Sequence, residues 1–309
     1  MNIDTILPML LTVIAAATPL LLASIGELVT EKAGVLNLGV EGMMLAGAVI
    51  AFATTVGTGS AALGIVAAML AGMATALVFG VLTLTLMANQ VATGLALTIF
   101  GIGLSSLIGS GYIGVPVEKL AHLDIAGLSD LPVIGPLLFG HDVLVYAAVA
   151  ITFAVAWFLK HTRAGLILRA VGESDLSAHS IGYDVIKVRY MAVLFGGLCS
   201  GLAGAYLSLS YTPMWVEGMT AGRGWIALAL VAFASWRPWR VLGGAYIFGG
   251  VTILQLYLQG SGGIGVPAQV MNMLPYLATI IVLTVISAGP WRGRLDAPAC
   301  LGKPFRPAS

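Results

Sequence analysis

Charged side chains are what this sequence has least of. Its 14 Lys and Arg residues and 13 Asp and Glu residues make up 9% of 309 positions, against about 25% in soluble domains. Hydrophobic residues make up 59%, and the mean hydropathy is +1.01. This balance excludes a soluble globular domain and predicts an integral membrane protein.

Several motifs that carry chemistry are also missing. The sequence has no GxxxxGK[ST] phosphate-binding loop and no HExxH zinc motif. Its four His residues show no metal-ligand spacing, and no Ser, His and Asp set suggests a nucleophile. No basic stripe with interleaved aromatics points to nucleic acid. We therefore expect a protein that is not an enzyme, holds no metal or cofactor and binds no nucleic acid.

Glycine, in contrast, is abundant, at 40 of 309 residues. In membrane proteins small residues let helix backbones approach closely. Residues 190–209 carry them at every fourth position in two rows, which predicts close packing rather than a pore lining. The rows are Gly196, Ser200, Gly204 and Gly197, Gly201, Ala205.

Apolar segments of about 20 residues are candidates for membrane spans. Nine occur, at residues 6–25, 38–56, 61–87, 91–108, 143–159, 190–209, 225–235, 241–258 and 274–287. The seventh is too short to cross unaided, so it is predicted to be a half-helix or a re-entrant segment. We expect an all-α polytopic bundle of about 8–10 spans that forms one transmembrane domain over residues 1–309.

A polar segment, residues 160–190, interrupts the apolar pattern and carries eight charged residues, five of them Lys or Arg. Cytoplasmic loops carry such an excess of basic residues, so this loop and the tail 288–309 are predicted to be cytoplasmic. The loop 109–141 is then external. Tryptophans at the inner span ends are expected to form an interfacial belt. They are Trp157, Trp236, Trp239 and Trp291.

The polar segment contains its own helix signal. Ser174 or Asp175 can cap a short helix, and Gly182 can end it. Leu176, Ala178 and Ile181 are expected to supply a small apolar face. A short helix of this kind between two spans is suited to docking against a soluble partner.

Polar residues also occur where lipid is expected. A charge at mid-bilayer costs roughly 2.5–3.5 kcal/mol, so these residues either reach water in an inner loop or face a polar cavity. Both alternatives stay open, and the path-lining candidates are Glu27, Asn37, Glu41, Asn89 and Gln90. Glycines in the same region predict a discontinuous helix. They are Gly26, Gly34, Gly39 and Gly42.

Four motifs carry a resemblance to a known family. Residues 34–44 read GVLNLGVEGMM, residues 89–94 NQVATG, residues 169–173 RAVGE and residues 222–228 GRGWIAL. In combination they resemble inner-membrane permease subunits of the branched-chain amino acid/ribose class of ABC importers, and are most similar to the simple-sugar and nucleoside branch. The resemblance covers most of the chain.

The resemblance implies a type II importer half-channel in a bacterial inner membrane, with a nucleoside as the leading solute. It implies an ABC ATPase partner that binds ATP and Mg²⁺, a paralogous second permease and an external substrate-binding lipoprotein or periplasmic protein. The short helix would be the coupling helix that docks into the ATPase. The residues implied in coupling are Arg169, Gly172, Glu173, Ser174, Asp175, Ala178, Ile181 and Gly182.

Other functions remain open at this point. A simple-sugar or branched-chain amino acid permease would share the same fold, and an ion-coupled secondary transporter would work without an ATPase. An embedded enzyme or scaffold is a further alternative, although no convergent catalytic set is present in the sequence.

Overall fold

The structure is a computed structural model. It describes residues 3–123, 134–260 and 297–306, with single residues between 270 and 284. In chain order its α-helices are α1 (Ile3–Lys32), α2 (Val40–Thr58), α3 (Ala61–Gly80), α4 (Gln90–Gly109), α5 (Ile134–Phe139), α6 (Val143–His161), α7 (Arg163–Glu173), α8 (Asp175–Ser180), α9 (Val185–Tyr206), α10 (Arg223–Phe233) and α11 (Pro238–Gly260). Helices α3 and α9 continue into π-helical turns, Val81–Thr85 and Leu207–Tyr211.

Seven of these helices are long and apolar enough to cross a membrane, namely α1, α2, α3, α4, α6, α9 and α11. Each corresponds to one predicted span, so the all-α polytopic fold is confirmed. The ninth predicted span, residues 274–287, lies largely outside the described residues. The predicted end of the first span at residue 25 was wrong, because α1 stays helical and largely buried through its polar last turns to Lys32.

Helix α9 is the centre of the bundle and packs against α1, α2 and α3. Its glycines lie directly on neighbouring backbones. A Cβ on Gly201 would lie 2.1 Å from the carbonyl oxygen of Ala68 in α3, and one on Gly204 would lie 2.1 Å from that of Met44 in α2. Backbones this close leave no room for a side chain, so the predicted packing role of the small residues is confirmed.

The bundle has two distinguishable ends. At one end, which we call the α8 end, α1 finishes and α9 begins, and Gly172 of α7 lies against the carbonyl oxygen of Lys32. At the other, which we call the far end, α2 finishes at Thr58 and α4 at Gly109.

The chain is non-helical at residues 33–39, where α1 and α2 are joined by a short break rather than by a discontinuous helix. Gly34 lies in this break with φ of +87°, a conformation that favours glycine. The expectation that all four glycines form the break was wrong. Gly26 and Gly42 lie inside helices, where a Cβ would come within 2.5 Å of Cys199 and of the Leu97 carbonyl oxygen.

Helix α10 is a half-helix, as the short seventh segment predicted. Its first turn lies against Glu41, since a Cβ on Gly224 would be 2.6 Å from the Glu41 Cα. The adjacent Gly42 contacts Gly101, the midpoint of the candidate span Gln90–Tyr112. Helix α10 therefore begins near the middle of the bundle and runs to the α8 end.

The non-helical residues 212–222 cross the other half of the bundle, between the far end and the start of α10. Trp215 pairs with Ile113 in an isolated bridge and lies against Gly109 at the far end. From there the segment runs back toward the middle of the bundle and ends at Gly222, which adopts a left-handed conformation immediately before α10. Residues 212–222 and α10 together form a discontinuous element.

We expect Gly201→Val to prevent stable folding. The added side chain would overlap the α3 backbone at Ala68, and overpacking of this kind costs about 1–3 kcal/mol or more. The measurement is the yield and the thermal unfolding midpoint of the detergent-purified chain. Gly57→Val is the control, because a Cβ there meets nothing within 4 Å. Equal stability of the two variants would contradict the packing.

Candidate functional site

The short helix at the α8 end forms as the sequence predicted. The Ser174 side chain accepts a hydrogen bond from the Ser177 N–H at 3.3 Å and caps α8. Gly182 follows the helix with φ of +94°. A residue with a Cβ is strained in this conformation, so glycine ends the helix here.

The apolar residues in α8 and directly after it do not share one side, so the expectation of a single apolar face was wrong. Ala178 is buried and packs with Val171, Val185 and Phe305. Leu176 and Ile181 are 56% and 74% exposed. One side of α8 is therefore anchored to the bundle, while two large aliphatic side chains remain on the surface.

A buried arginine, Arg189, joins three segments at this end. Its side chain is 1% exposed, and its guanidinium forms a 3.1 Å ion pair with Asp175 of α8. Its Nε donates to the carbonyl oxygen of Ala33 and its Nη1 to that of Lys303, both at 3.2 Å. In the sequence analysis, Arg189 was treated only as one of the loop charges. Its position at the start of an apolar helix could have indicated a buried, paired arginine.

The C-terminal residues 297–306 complete the α8 end. The N–H of Cys300 donates to the Gly172 carbonyl at 2.9 Å, and the N–H of Gly302 donates to that of Gly34 at 3.1 Å. This tail therefore hydrogen-bonds to both α7 and the break between α1 and α2.

The remaining coupling candidates lie around the same end. Arg169 and Glu173 are exposed and line an open cavity of about 560 Å³, together with Lys32. Gly172 is buried, since a Cβ would lie 2.1 Å from the Lys32 carbonyl oxygen. The structure thus brings all the predicted coupling residues together, and their coupling role stays a prediction.

Buried side chains satisfy the backbone in the break between α1 and α2. Glu27 Oε1 accepts the N–H of Asn37 at 3.0 Å, and Asn37 Oδ1 accepts the N–H of Gly39 at 2.9 Å. Gln90 Oε1 accepts the N–H of Leu36 at 2.8 Å. Glu27, Asn37 and Gln90 are at most 4% exposed, so each holds the break from inside the chain.

Two polar atoms at this break have no partner among the described residues, Glu27 Oε2 and Gln90 Nε2. Asn89 differs from the other candidates, because it is exposed and caps α4 by accepting the Ala92 N–H at 3.0 Å. A path-lining role for these residues stays a prediction.

Glu41 braces the half-helix. Its Oε1 accepts hydrogen bonds from Thr220 Oγ1 at 2.6 Å and from the Gly222 N–H at 2.8 Å, and its Oε2 accepts the Gly224 N–H at 2.6 Å. The first N–H groups of a helix lack intrahelical partners and attract negative charge. Glu41, 6% exposed, supplies both the acceptors and the charge.

A second carboxylate holds the other end of α10. Trp236 is 8% exposed, has φ of +54° and donates its indole N–H to Glu31 Oε2. The expectation that Trp236 belongs to an interfacial belt was therefore wrong. Trp157 and Trp239, which are 62% and 51% exposed, retain the exposure expected of belt residues, and Trp291 lies outside the described residues.

We expect Asp175→Asn to lower the free energy of unfolding by about 3 kcal/mol, because it leaves the Arg189 guanidinium buried without its carboxylate. Thermal unfolding of the purified chain measures this loss. The double variant Asp175→Asn, Arg189→Met should recover part of it. Exposed Glu173→Gln is the control, expected to change stability by less than about 0.5 kcal/mol. A double variant that is less stable than Asp175→Asn would contradict the stabilising role of the ion pair.

We expect Glu41→Gln to lower the free energy of unfolding by about 2–3 kcal/mol, because an amide cannot accept all three hydrogen bonds and carries no charge. The thermal unfolding midpoint is again the measurement. Glu118→Gln, an exposed carboxylate in the loop after α4, should leave the midpoint unchanged. A Glu41 variant as stable as the parent chain would rule out the brace.

Residues 9–283 match the family described as branched-chain amino acid transport system / permease component. The putative glucose ABC transporter permease protein TsgC13 of Haloferax volcanii is 42% identical over 93% of this chain and 94% of its own length. The guanosine ABC transporter permease protein NupQ of Bacillus subtilis is 32% identical over 94% and 93%.

A third relative, the nucleoside ABC transporter permease protein NupC of Lactococcus lactis, is 32% identical over 87% of this chain and 89% of its own length. Weaker relatives come from two of the same organisms, NupP of Bacillus subtilis at 26% and TsgB13 of Haloferax volcanii at 25% identity. These permeases are transport subunits rather than enzymes. The chain belongs to this family of ABC transporter permease components and is a multi-pass membrane protein of its sugar and nucleoside branch.

Proposed function

We propose that this chain forms half of the path by which an ABC importer moves a neutral polyhydroxylated solute, a nucleoside or a simple sugar. Its relatives are named for glucose, guanosine and nucleosides, solutes that share a ring with several hydroxyl groups. The Glu41 geometry favours a neutral solute. Helix α10 begins near the middle of the bundle, and its N-terminus already holds this carboxylate, so that helix end offers no site to an anion.

The observation that carries the coupling proposal is the exposure of Leu176 in α8 and of Ile181 directly after it, while the rest of the helix is anchored to the bundle. Helix α8 is pinned by the Asp175–Arg189 ion pair and by buried Ala178. If a partner buries these two large aliphatic side chains, each burial stabilises the complex by about 1.5–3 kcal/mol. We infer that the partner is the ABC ATPase, which binds ATP and Mg²⁺ itself.

In this proposal the ATPase moves α8, and Arg189 transmits the movement to the end of α1. The chain makes no covalent bond; it supplies two packings whose balance the ATPase changes. The α8 end, with loop 160–190 and tail 288–309, is cytoplasmic and loop 109–141 is external, as the excess of basic residues indicates. The whole of residues 1–309 acts as one transmembrane domain.

Two further subunits belong to the proposal. A second, paralogous permease would complete the path, and the presence of two relatives in each of two organisms supports such a pair. An external substrate-binding lipoprotein or periplasmic protein would deliver the solute. We place the assembly in a bacterial inner membrane.

The test is purification of the assembled complex through a tag on this chain, followed by reconstitution into proteoliposomes. ATP-dependent uptake of guanosine or D-glucose is the expected result. Uptake that needs an ion gradient and no ATPase would instead support a secondary transporter, and the absence of an ATPase from the complex would contradict the proposal.

We expect the double variant Leu176→Asp, Ile181→Asp to lose ATP-driven uptake by about tenfold or more, since each aspartate places a charge in the docking contact. Co-purification of the ATPase measures the loss directly. Stability of the permease itself should not change, because both side chains are exposed in the chain.

Leu176→Met is the matched control and should keep ATPase binding and uptake, because it preserves an apolar side chain of similar volume. If the double aspartate variant binds the ATPase as the parent chain does, α8 is not the docking helix.

A further inference from the structure

We propose that Glu217, held by Ser106, faces the solute path and accepts hydrogen bonds from two adjacent hydroxyl groups of the solute. This inference rests on the proposed function and names a binding residue for it. Ser106 Oγ donates to Glu217 Oε1 at 2.7 Å, which joins the non-helical segment 212–222 to α4.

The depth of this pair is the first argument. Ser106 lies five residues beyond Gly101, the midpoint of the span Gln90–Tyr112, which is about 7.5 Å along the helix axis. Half of the hydrocarbon core is about 15 Å thick. With the bilayer centred on the span, the Glu217 carboxylate is within the apolar layer, yet Glu217 is exposed on the chain. A carboxylate at this depth faces a water-filled cavity or another protein rather than lipid.

The backbone around Glu217 also indicates that this face does not contact lipid. Val216, Glu217, Gly218 and Ala221 are all exposed, and none of them is in a helix. Non-helical backbone occurs at membrane depth only where it is buried in protein or lines an aqueous cavity. The face formed by α4 and this segment is therefore not a lipid-facing surface.

The chemistry of the face suits a polar but uncharged ligand. Ile99 and Ile102 precede Ser106 by seven and four residues, share its side of α4 and are 72% and 45% exposed. Small-molecule sites combine such apolar walls with a few placed polar groups. Glu217 Oε2 accepts no hydrogen bond from the described residues, and a carboxylate can only accept. Adjacent hydroxyls of a ribose or a pyranose supply two donors, whereas an anion would be repelled.

The experiment is a double-mutant-type cycle in which one residue of the protein and the hydroxyl groups of the solute are each changed. Uptake is measured in the reconstituted complex with guanosine and with 2′,3′-dideoxyguanosine, both at subsaturating concentration. Comparing Glu217→Gln with the parent chain for each solute cancels the discrimination made by the external binding protein, because that protein is unchanged. We expect the variant to lower guanosine uptake about tenfold, the loss of one strong hydrogen bond, and to leave dideoxyguanosine uptake unchanged.

Two controls accompany the cycle. Glu118→Gln, an exposed carboxylate outside this face, should change neither solute's uptake. Val216→Cys in the assembled complex should react with a membrane-impermeant maleimide, with the parent chain as the blank, and guanosine should slow the reaction. This second readout does not depend on how Glu217→Gln folds.

The outcomes separate this inference from the proposed function. If the parent complex takes up neither guanosine nor D-glucose with ATP, the proposed function fails and this inference with it. If the parent complex takes up D-glucose only, the same cycle is run with D-glucose and 2-deoxy-D-glucose. If the parent complex transports but Glu217→Gln lowers uptake of both members of the pair equally, Glu217 does not bind the hydroxyls. If Val216→Cys is unreactive in the complex, another subunit covers this face and the inference is overturned.

Discussion

The absence of water inside a bilayer is the constraint on which this structure depends. Backbone groups that leave a helix there need partners within the protein, and each one left unsatisfied costs several kcal/mol. The chain leaves helical structure at residues 33–39 and again at 212–222. Buried side chains close the two breaks, Glu27 and Gln90 at the first and Glu41 at the second. The charged residues that look misplaced in an apolar sequence follow from these breaks.

Much of the fold could be predicted from the sequence, because span length and hydropathy reflect bilayer thickness directly. The half-helix was predictable since 11 apolar residues are too few to cross. The partners of the buried polar residues were not, because they lie far away in the chain. Glu41 binds groups 179–183 residues later, and Arg189 binds Ala33 at a separation of 156. Local rules placed Arg189 in a loop and Trp236 in a belt, and tertiary contacts overrode both.

The α8 end combines a closely packed centre with a helix that is attached by fewer contacts. The glycines of α9 lie in direct contact with the backbones of α2 and α3, so this part of the bundle resists deformation. Helix α8 follows α7 directly in the chain and is held to the bundle by one ion pair and a small apolar cluster. Arg189 contacts both α8 and the carbonyl end of α1. In the proposed coupling, a displacement of α8 would reach α1 through this guanidinium and through α7, whose Gly172 lies against the Lys32 carbonyl oxygen.

The tail 297–306 has a consequence for biosynthesis. Ribosomes add these residues after all the described spans, yet their amides bind Gly172 and Gly34, and Lys303 supplies an acceptor to Arg189. A nascent chain that has inserted its helices still lacks the acceptor and the aromatic ring of Phe305 that finish the α8 surface. The order of synthesis thus delays completion of this surface until the tail has been translated, and in the proposed function docking of an ATPase would wait for that step.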